Sequence, residues 1–185
     1  VAPIFHPTMP FAFETKHLVL TSSNPRQSEL SAIANFYYQL GGLNANGFYD
    51  VTVNMGDAPD LSQYPDHNVI MFGLPEDTNF VASINDALPQ PFSDGTNNLA
   101  QVIGQSAYQL VPGIQVGVVQ SIKSNENPGR MVTLITGTSE EGFNWVMKQF
   151  DQDLTAFVGD LFFVEDNQVN AFATSLFSQA VLDSM

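Results

Sequence analysis

The stretch between residues 130 and 165 constrains the fold more than any other part of this sequence, because it reads as a strand, a helix and a second strand. Residues 131–136 are a short run of apolar and β-branched residues, which is typical of strands that are buried on both faces. Gly137 ends this run, and a second short apolar run, residues 161–164, follows the turn signal Gly159-Asp160. The pattern predicts two buried strands of one sheet.

An amphipathic helix is predicted between these two strands. Thr138 is placed to cap its first turn, and Glu141, three residues later, would complete a capping box. Apolar residues then recur at the spacing of one helical face: Phe143, Val146, Met147, Phe150 and Leu154. Two buried strands joined by such a helix form a right-handed crossover, so we expect the strands to run parallel. We also expect Phe143 and Phe150 to be buried against the sheet.

The negative charge of the chain limits the kinds of molecule that it can bind. Among its 185 residues, 19 are Asp or Glu and only 5 are Lys or Arg, which gives a formal net charge of −14. Such a surface repels nucleic acid and anionic membranes, so we expect neither as a partner. The absence of cysteine excludes disulfides, thiolate metal sites and cysteine nucleophiles. No apolar run approaches the length of a membrane span, and none is expected.

The remaining apolar runs extend the α/β pattern over most of the chain. We expect residues 1–15, rich in Pro and aromatic residues, to form an extended N-terminal arm, residues 16–174 to form one domain, and residues 175–185 to form a C-terminal segment with a short helix. A first helix is predicted from about residue 27. Its expected inner face consists of Leu30, Ile33, Ala34, Tyr37 and either Leu40 or Gly41.

The order of the predicted elements gives the fold class. Residues 114–123 and 131–136 flank the turn signal Asn127-Pro128-Gly129 and are predicted to pair as an antiparallel hairpin, as are residues 161–164 and 168–173. Together the elements predict an α/β three-layer sandwich that is flavodoxin-like in order, with a mainly parallel sheet and antiparallel hairpin additions.

In such sheets the default ligand crevice lies at the carboxyl ends of the strands, where the strand order reverses. Here that means residues 22–26 and 73–79. The candidate ligand-binding residues in these two loops are Ser22, Ser23, Asn24, Arg26 and Glu76. A hydroxyl-rich loop before a helix is typical of a flavin phosphate site, since a helix N-terminus attracts anions. Against that interpretation, Pro25 removes one backbone amide and the loop contains no glycine, so we expect no bound cofactor.

Four segments, taken in order, resemble a known family: HLVLTSSNPRQSELSAIANFYYQLGG, HNVIMFGLPEDTNFVASIND, NPGRMVTLITGTSEEGFNWVMKQF and VGDLFFVEDNQVNAF. Their arrangement is similar to the flavodoxin-like domain of the periplasmic B subunit of bacterial cellulose synthase. The resemblance covers roughly residues 16–174, and its order and spacing carry more weight than any single motif. Residues 121–127, which read SIKSNEN, lack the tryptophan-containing segment usual in that family.

The resemblance implies a non-catalytic, extracytoplasmic scaffold domain of polysaccharide synthesis or export. In that family, flavodoxin-like domains alternate with carbohydrate-binding jelly rolls, and the protein ends in a membrane anchor. The implied partners are therefore the catalytic membrane subunit, neighbouring carbohydrate-binding domains and the polysaccharide itself. Tyr38 and Trp145 lie off the main apolar stripes and are the candidate carbohydrate contacts, because aromatic rings stack on sugars.

Several motifs that are typical of enzymes and metal-binding proteins are absent from this sequence. The sequence has neither a Gly-x-Ser-x-Gly elbow nor a phosphate-binding P-loop. Its three histidines, His6, His17 and His67, are far apart in sequence and are expected at the surface or in turns, so no metal site is predicted. Glu140 and Glu141 are adjacent on a helix and do not face each other as a glycosidase pair would. The rival to the scaffold hypothesis is a flavodoxin-like enzyme or small-ligand binder that uses the loop of residues 22–26.

Overall fold

The computed structural model describes residues 16–43, 49–56, 58–100, 113–127, 129–152 and 159–172. The strands are β1 (Lys16–Thr21), β2 (Asp50–Met55), β3 (Asn68–Phe72), β4 (Gly117–Lys123), β5 (Met131–Gly137), β6 (Leu161–Glu165) and β7 (Gln168–Phe172). The helices are α1 (Gln27–Leu43), α2 (Asn79–Ile84) and α3 (Glu140–Gln152), and short 3₁₀ turns occur at Leu61–Gln63, Pro75–Asp77 and Asn85–Ala87. The predicted α/β class is confirmed.

The seven strands form one mixed sheet in the order β2-β1-β3-β5-β4-β6-β7. Strands β2, β1, β3 and β5 are parallel neighbours, whereas β4 is antiparallel to both β5 and β6, and β7 is antiparallel to β6. Within the described residues the sheet therefore has three parallel and three antiparallel pairs, and it is less parallel than expected. Strands β5 and β6 point in the same direction, as predicted, but β4 lies between them.

Both predicted hairpins are present. Strand β4 pairs with β5 from Gly117↔Gly137 to Lys123↔Met131, and β6 pairs with β7 from Leu161↔Phe172 to Glu165↔Gln168. The short connection between β4 and β5 explains the position of β4, because closing a small loop costs little entropy and favours pairing of adjacent strands. The crossover through α3 must then pass over β4 before the chain reaches β6.

One apolar core lies between the sheet and helices α1 and α3. Its sheet side consists of alternate strand residues, including Val19, Ile70 and Ile135. Phe143 and Phe150 of α3 are 2% and 1% exposed and belong to this core, so their predicted burial is confirmed. The buried part of α3 also includes Val146 and Met147, as the helical spacing predicted.

A second core covers the opposite face of the sheet. The neighbouring strand residues Leu18, Leu20 and Met71 point to this face and pack with Phe80 and Val81 of α2. The buried side chain of Gln120 in β4 binds the backbone of Gln90, in the segment after α2. It accepts a hydrogen bond from the amide of Gln90 and donates one to the carbonyl of Gln90, both at 3.0 Å. Covered faces on both sides explain why β3 is apolar at nearly every position.

The inner face of α1 was predicted only in part. Leu40 is buried as predicted, but the other buried apolar residues are Ala32 and Phe36, whereas Leu30 is 43% exposed and Ala34 is exposed. Helix α1 has two adjacent apolar stripes, and contacts between aromatic rings determine which of them faces the core. The ring of Phe36 lies 5.4 Å from that of Phe72 and 5.5 Å from that of Phe150, while Ile33 and Tyr37 cover only the margin of the core.

Helix α3 is capped by Ser139, so the prediction of Thr138 as the capping residue was wrong. The amide of Gly142 donates to Ser139 Oγ at 3.1 Å, and α3 begins at Glu140. Thr138 instead ties the chain before β4 to the end of β5, since its Oγ1 donates to the Ile114 carbonyl at 2.6 Å. The capping box with Glu141 therefore does not form in the predicted register.

Several expectations fall on residues outside those described: the arm of residues 1–15, Leu154 in the apolar stripe, and the segment 175–185. Within the described ranges, no helix has the length and apolar character needed to cross a membrane.

Candidate functional site

The loops that follow β1 and β3 meet at one edge of the sheet. These two strands are parallel neighbours, from His17↔Asn68 to Leu20↔Met71, so their carboxyl ends lie side by side. The chain leaves β1 through α1 towards β2 on one side of the sheet, and it leaves β3 through α2 on the other face. This is the point at which strand order reverses, and we call it the switch-point cluster, formed by Thr21, Ser22, Arg26, Glu29 and Asp77.

The centre of the switch-point cluster is the carboxylate of Glu29, which is only 1% exposed. Its Oε2 accepts hydrogen bonds from the hydroxyl of Thr21 at 3.1 Å and from that of Ser22 at 3.4 Å. Its Oε1 accepts from Arg26 Nη1 at 2.9 Å. A buried carboxylate is tolerated because these donors and the positive guanidinium replace the water that it loses.

Arg26 joins the two loops of the cluster. The same Nη1 that contacts Glu29 also donates to Asp77 Oδ2 at 2.7 Å, and Asp77 ends the 3₁₀ turn after β3. Partial burial acts to lower the pKa of Arg26, but the hydrogen bonds to Asp77 and Glu29 outweigh it and raise that pKa above its ordinary value. The guanidinium therefore stays charged, and it is shared between two carboxylates.

The backbone of Gly73 closes the cluster from the side of β3. Gly73 has a φ of +125°, and a Cβ built on it would lie 3.3 Å from Cδ and Oε1 of Glu29. Its amide donates to the Ile135 carbonyl of β5 at 3.3 Å, which fixes the chain at this point. A side chain here would be both strained and crowded, so glycine lets the two loops approach.

The structure brings together only part of the predicted ligand-binding set. Ser22 and Arg26 meet around Glu29, whereas Ser23 and Asn24 are exposed and take no part in the bonds to that carboxylate. Glu76 is also exposed, and its backbone amide donates to Asn97 Oδ1 at 2.9 Å. The predicted loops do face each other, and bonds from Arg26 to Glu29 and Asp77 join them.

Sequence reasoning missed Glu29, Thr21 and Asp77. One signal was available for Glu29, because it lies on the same helical stripe as the buried residues Ala32, Phe36 and Leu40. A carboxylate on the buried stripe of a helix needs donors nearby, and the hydroxyl-rich stretch just before the helix supplies them. Nothing in the sequence near Asp77 indicated its contact with Arg26, which is 51 residues away.

The chemistry of the cluster opposes anion binding. The first turn of a helix attracts anions, and here Glu29 already supplies the negative charge at that position. One guanidinium against the two carboxylates of Glu29 and Asp77 leaves the cluster negative when all three are ionised. Nor do the described residues contain a group of three or more His, Asp or Glu side chains arranged to hold a metal ion.

The two candidate carbohydrate contacts differ in exposure. Tyr38 of α1 is 79% exposed, whereas Trp145 of α3 is partly buried and packs against the core beneath α1 and α3. An exposed ring can stack on a sugar, and a ring committed to the core offers less of its face. Of the two, Tyr38 therefore has the more exposed ring.

His17 was expected near the surface and is instead fully buried. Its Nδ1 lies 3.0 Å from the hydroxyl of Tyr37, and its ring stacks on that of Tyr49 at 5.4 Å. Burial, and to a lesser degree the charge of Tyr49, raises the pKa of Tyr37. The sheet register places His17 at the amino end of β1, opposite the switch-point cluster, so it belongs to the packing of α1 on the sheet.

Comparison of the sequence with models of known protein families finds no match, and comparison with curated proteins finds no significant relative.

Proposed function

We propose that this chain is a non-catalytic scaffold domain of a B-type subunit of a bacterial cellulose synthase or a related exopolysaccharide synthase, acting outside the cytoplasm. The four segments that resemble that family motivate the proposal. In such a subunit the domain stands beside carbohydrate-binding domains and the catalytic membrane subunit. Other parts of the parent protein would provide the membrane anchor.

The finer fold in this proposal is the flavodoxin-like three-layer sandwich. Counted without β4 and β7, the strand order is β2-β1-β3-β5-β6, which corresponds to the 2-1-3-4-5 order of flavodoxin-like sheets. Helices α1 and α3 on one face and α2 on the other agree with a doubly wound arrangement. The antiparallel β4 between β5 and β6 is the main departure from that order.

The observation that carries the proposal is that the donors of the switch-point cluster are bonded within the cluster. A flavin phosphate would need free backbone amides and uncommitted donors at the start of α1. There, the donors Thr21, Ser22 and Arg26 are all bonded to Glu29. A domain whose loop donors are bonded to its own carboxylates is suited to structural contacts rather than to carrying a cofactor.

The competing function, small-ligand binding through residues 22–26, makes an opposite prediction about Arg26. Under that hypothesis an anion would compete with Glu29 and Asp77 for the guanidinium of Arg26, and the buried carboxylate of Glu29 would share its positive counter-charge with that anion. The long-range field of a chain with net charge −14 also opposes the anion, although salt screens part of it.

Titration of the purified chain with flavin mononucleotide separates the two functions. We expect neither saturable quenching of flavin fluorescence nor saturable heat in calorimetry in the micromolar range. Saturable binding that is lost in Arg26→Ala but kept in Arg130→Ala would overturn the scaffold proposal. Arg130 is the matched control, because it precedes β5 at the opposite end of the parallel strands.

The partner side of the proposal is tested by co-expression. The tagged chain is produced with the cellulose synthase catalytic subunit encoded in the same genome, the complex is captured through the tag, and the captured subunits are quantified. We expect specific retention of the catalytic subunit. Retention no greater than that of an unrelated membrane protein of similar abundance would count against the assignment.

Contact with polysaccharide is tested at Tyr38. We expect electrophoretic mobility of the chain to fall in gels containing a soluble cellulose derivative, and Tyr38→Ala to restore the mobility. Asn35→Ala, at another exposed position of α1, is the matched control and should leave the retardation intact. Equal mobility of the wild-type chain with and without the polymer would exclude Tyr38 as a contact.

A further inference from the structure

The β2 end of the sheet carries an unusual exposed surface. Strand β2 is the last strand on that side, and among the described residues only β1 pairs with it. Val53 and Met55 on β2 are 45% and 57% exposed. Leu30 is 43% exposed and lies on the same stripe of α1 as Tyr37, whose ring is 6.2 Å from that of Tyr49 just before β2. We call Leu30, Val53 and Met55 the edge patch.

Exposed edge strands in native proteins usually carry features that block pairing, such as lysine, proline or a bulge. Strand β2 reads DVTVNM and has none of these, and its only charge is Asp50 at its first position. The other edge strand, β7, differs, since Gln168, Asn170 and Ala171 are its exposed residues and Val169 and Phe172 are partly buried. An open edge with a single terminal charge and exposed apolar side chains is a surface for strand addition.

Neither terminal segment of this chain is suited to cover the edge. Within residues 1–15, every window of six residues contains Pro3, Pro7 or Pro10, and each proline lacks the amide that strand pairing uses. Residues 173–185 follow β7, which is six strand spacings, or about 29 Å, away from β2. An extended segment of that length spans about 45 Å, so few of its residues would remain to pair with β2.

We propose that β2 pairs with β2 of a second copy of this chain, antiparallel about a two-fold axis at Val53, to give one continuous sheet. Such an axis keeps every side chain on its own face of the sheet, so only residues of equal parity can oppose each other. The register then pairs Val53 with Val53 and Val51 with Met55 on one face, and Thr52 with Asn54 on the other. Asp50 lies opposite Gly56, so like charges do not meet.

This register makes the edge patch self-complementary. Val51, Val53 and Met55 of both copies form one apolar row, and cross-strand apolar pairs of this kind stabilise sheets. The net charge of each copy opposes association at long range, and salt screens that repulsion. Dimer formation should therefore strengthen as ionic strength rises, which is opposite to the behaviour of a salt-bridged interface.

Sedimentation of the full chain over a range of protein and salt concentrations tests the proposal. The monomer is 20.2 kDa. We expect a monomer–dimer equilibrium that shifts towards the dimer with added salt, and a dissociation constant raised at least tenfold by Val53→Lys. A chain that stays monomeric under all conditions overturns the proposal. If Val53→Lys then also destabilises the monomer strongly, the edge is covered by the chain itself.

Cysteine cross-linking tests the register, and the chain has no cysteine of its own to interfere. Val53→Cys should form a disulfide-linked dimer, because directly opposed strand residues lie within disulfide reach. Thr52→Cys should not, since its own copy would be two residues away and beyond about 7 Å. A mixture of Thr52→Cys and Asn54→Cys should cross-link as a heterodimer. Cross-linking of Thr52→Cys alone, or none with Val53→Cys, would overturn the register.

Discussion

Gly73 lies beside the buried carboxylate of Glu29, where a side chain would crowd the junction between the end of β3 and the start of α1. A Cβ at Gly73 would lie 3.3 Å from Glu29 Cδ, and the positive φ of +125° adds backbone strain. Glu29 in turn holds Thr21, Ser22 and Arg26. Both loops of the switch-point cluster therefore approach the same carboxylate, which links the end of β3 to the start of α1.

Replacing Glu29 by Ala should destabilise the fold by about 2–4 kcal/mol. The change leaves the hydroxyls of Thr21 and Ser22 without their acceptor and removes one of the two carboxylates that hold Arg26. Arg26 is partly exposed and keeps Asp77, so the loss should not exceed that range. Urea unfolding of the two proteins measures the difference.

Two further variants qualify the Glu29 result. Glu29→Gln keeps the size and the acceptor oxygen but loses the charge, and its loss should be smaller than that of Ala. Glu126→Ala removes an exposed carboxylate from a loop and should change stability by no more than about 0.5 kcal/mol. Equal effects of Glu29→Ala and Glu126→Ala would mean that the switch-point cluster does not stabilise the fold.

Two glycines in helices should respond to alanine in opposite directions. At Gly142, in the first turn of α3, a Cβ would lie 2.4 Å from the Val116 carbonyl oxygen, and backbone atoms cannot yield as a side chain can. We expect Gly142→Ala to cost about 1–3 kcal/mol despite the better helix propensity of alanine. At Gly41, in α1, nothing lies within 4 Å of the same position, and Gly41→Ala should stabilise by up to about 1 kcal/mol.

Thermal and urea unfolding of both glycine variants compare the two sites directly. The helix-propensity gain is common to them, so their difference isolates the contact between α3 and the chain entering β4. A stabilising Gly142→Ala would show that α3 can move away from the sheet at little cost.

The accuracy of sequence-based prediction differed between the two long helices for a physical reason. Helix α3 has one apolar stripe and a polar remainder, so the burial of Phe143 and Phe150 followed from spacing alone. Helix α1 has two adjacent apolar stripes, and the choice between Leu30 and Phe36 depended on rings from β3 and α3 that local sequence does not show.

The sequence predicted where the candidate site lies but not which residues form it. Parallel strand ends meet by geometry, so the loops of residues 22–26 and 73–79 could be assigned to one place. Glu29 was missed because a helical carboxylate is by default assigned to solvent. Its burial depends on Arg26, on the approach of Gly73 and on Asp77, which come from different elements.

Alanine at either core phenylalanine of α3 should cost about 3–5 kcal/mol. Phe143 and Phe150 are nearly completely buried, and their loss removes both transfer free energy and packing. Tyr38→Ala is the aromatic control on α1, and at 79% exposure it should stay within about 0.5 kcal/mol of wild type. A cost below about 1 kcal/mol at Phe150 would mean that α3 packs differently.

The ion pair between Lys16 and Asp66 should govern the acid titration of Asp66. The hydrogen bond from Lys16 lowers the pKa of Asp66, and the same bond raises that of Lys16. A lowered carboxyl pKa stabilises the fold above the unfolded value of about 3.9, and this contribution is lost as pH falls through the folded pKa. The raised pKa of Lys16 also stabilises the fold. This contribution is complete below the unfolded pKa of about 10.4, and it is lost as pH rises through the folded pKa.

Lys16→Met should therefore raise the pKa of Asp66 towards its ordinary value, as followed by the carboxyl ¹³C shift in an NMR titration. Asp60 is the internal control, because its pKa is lowered by hydrogen bonds from Ser62 and Gln63 that the substitution does not touch. High salt should move Asp66 of the wild-type chain in the same direction as the substitution, since both partners are about half exposed. An Asp66 midpoint that is identical in wild type and Lys16→Met would show that the pair does not persist in solution.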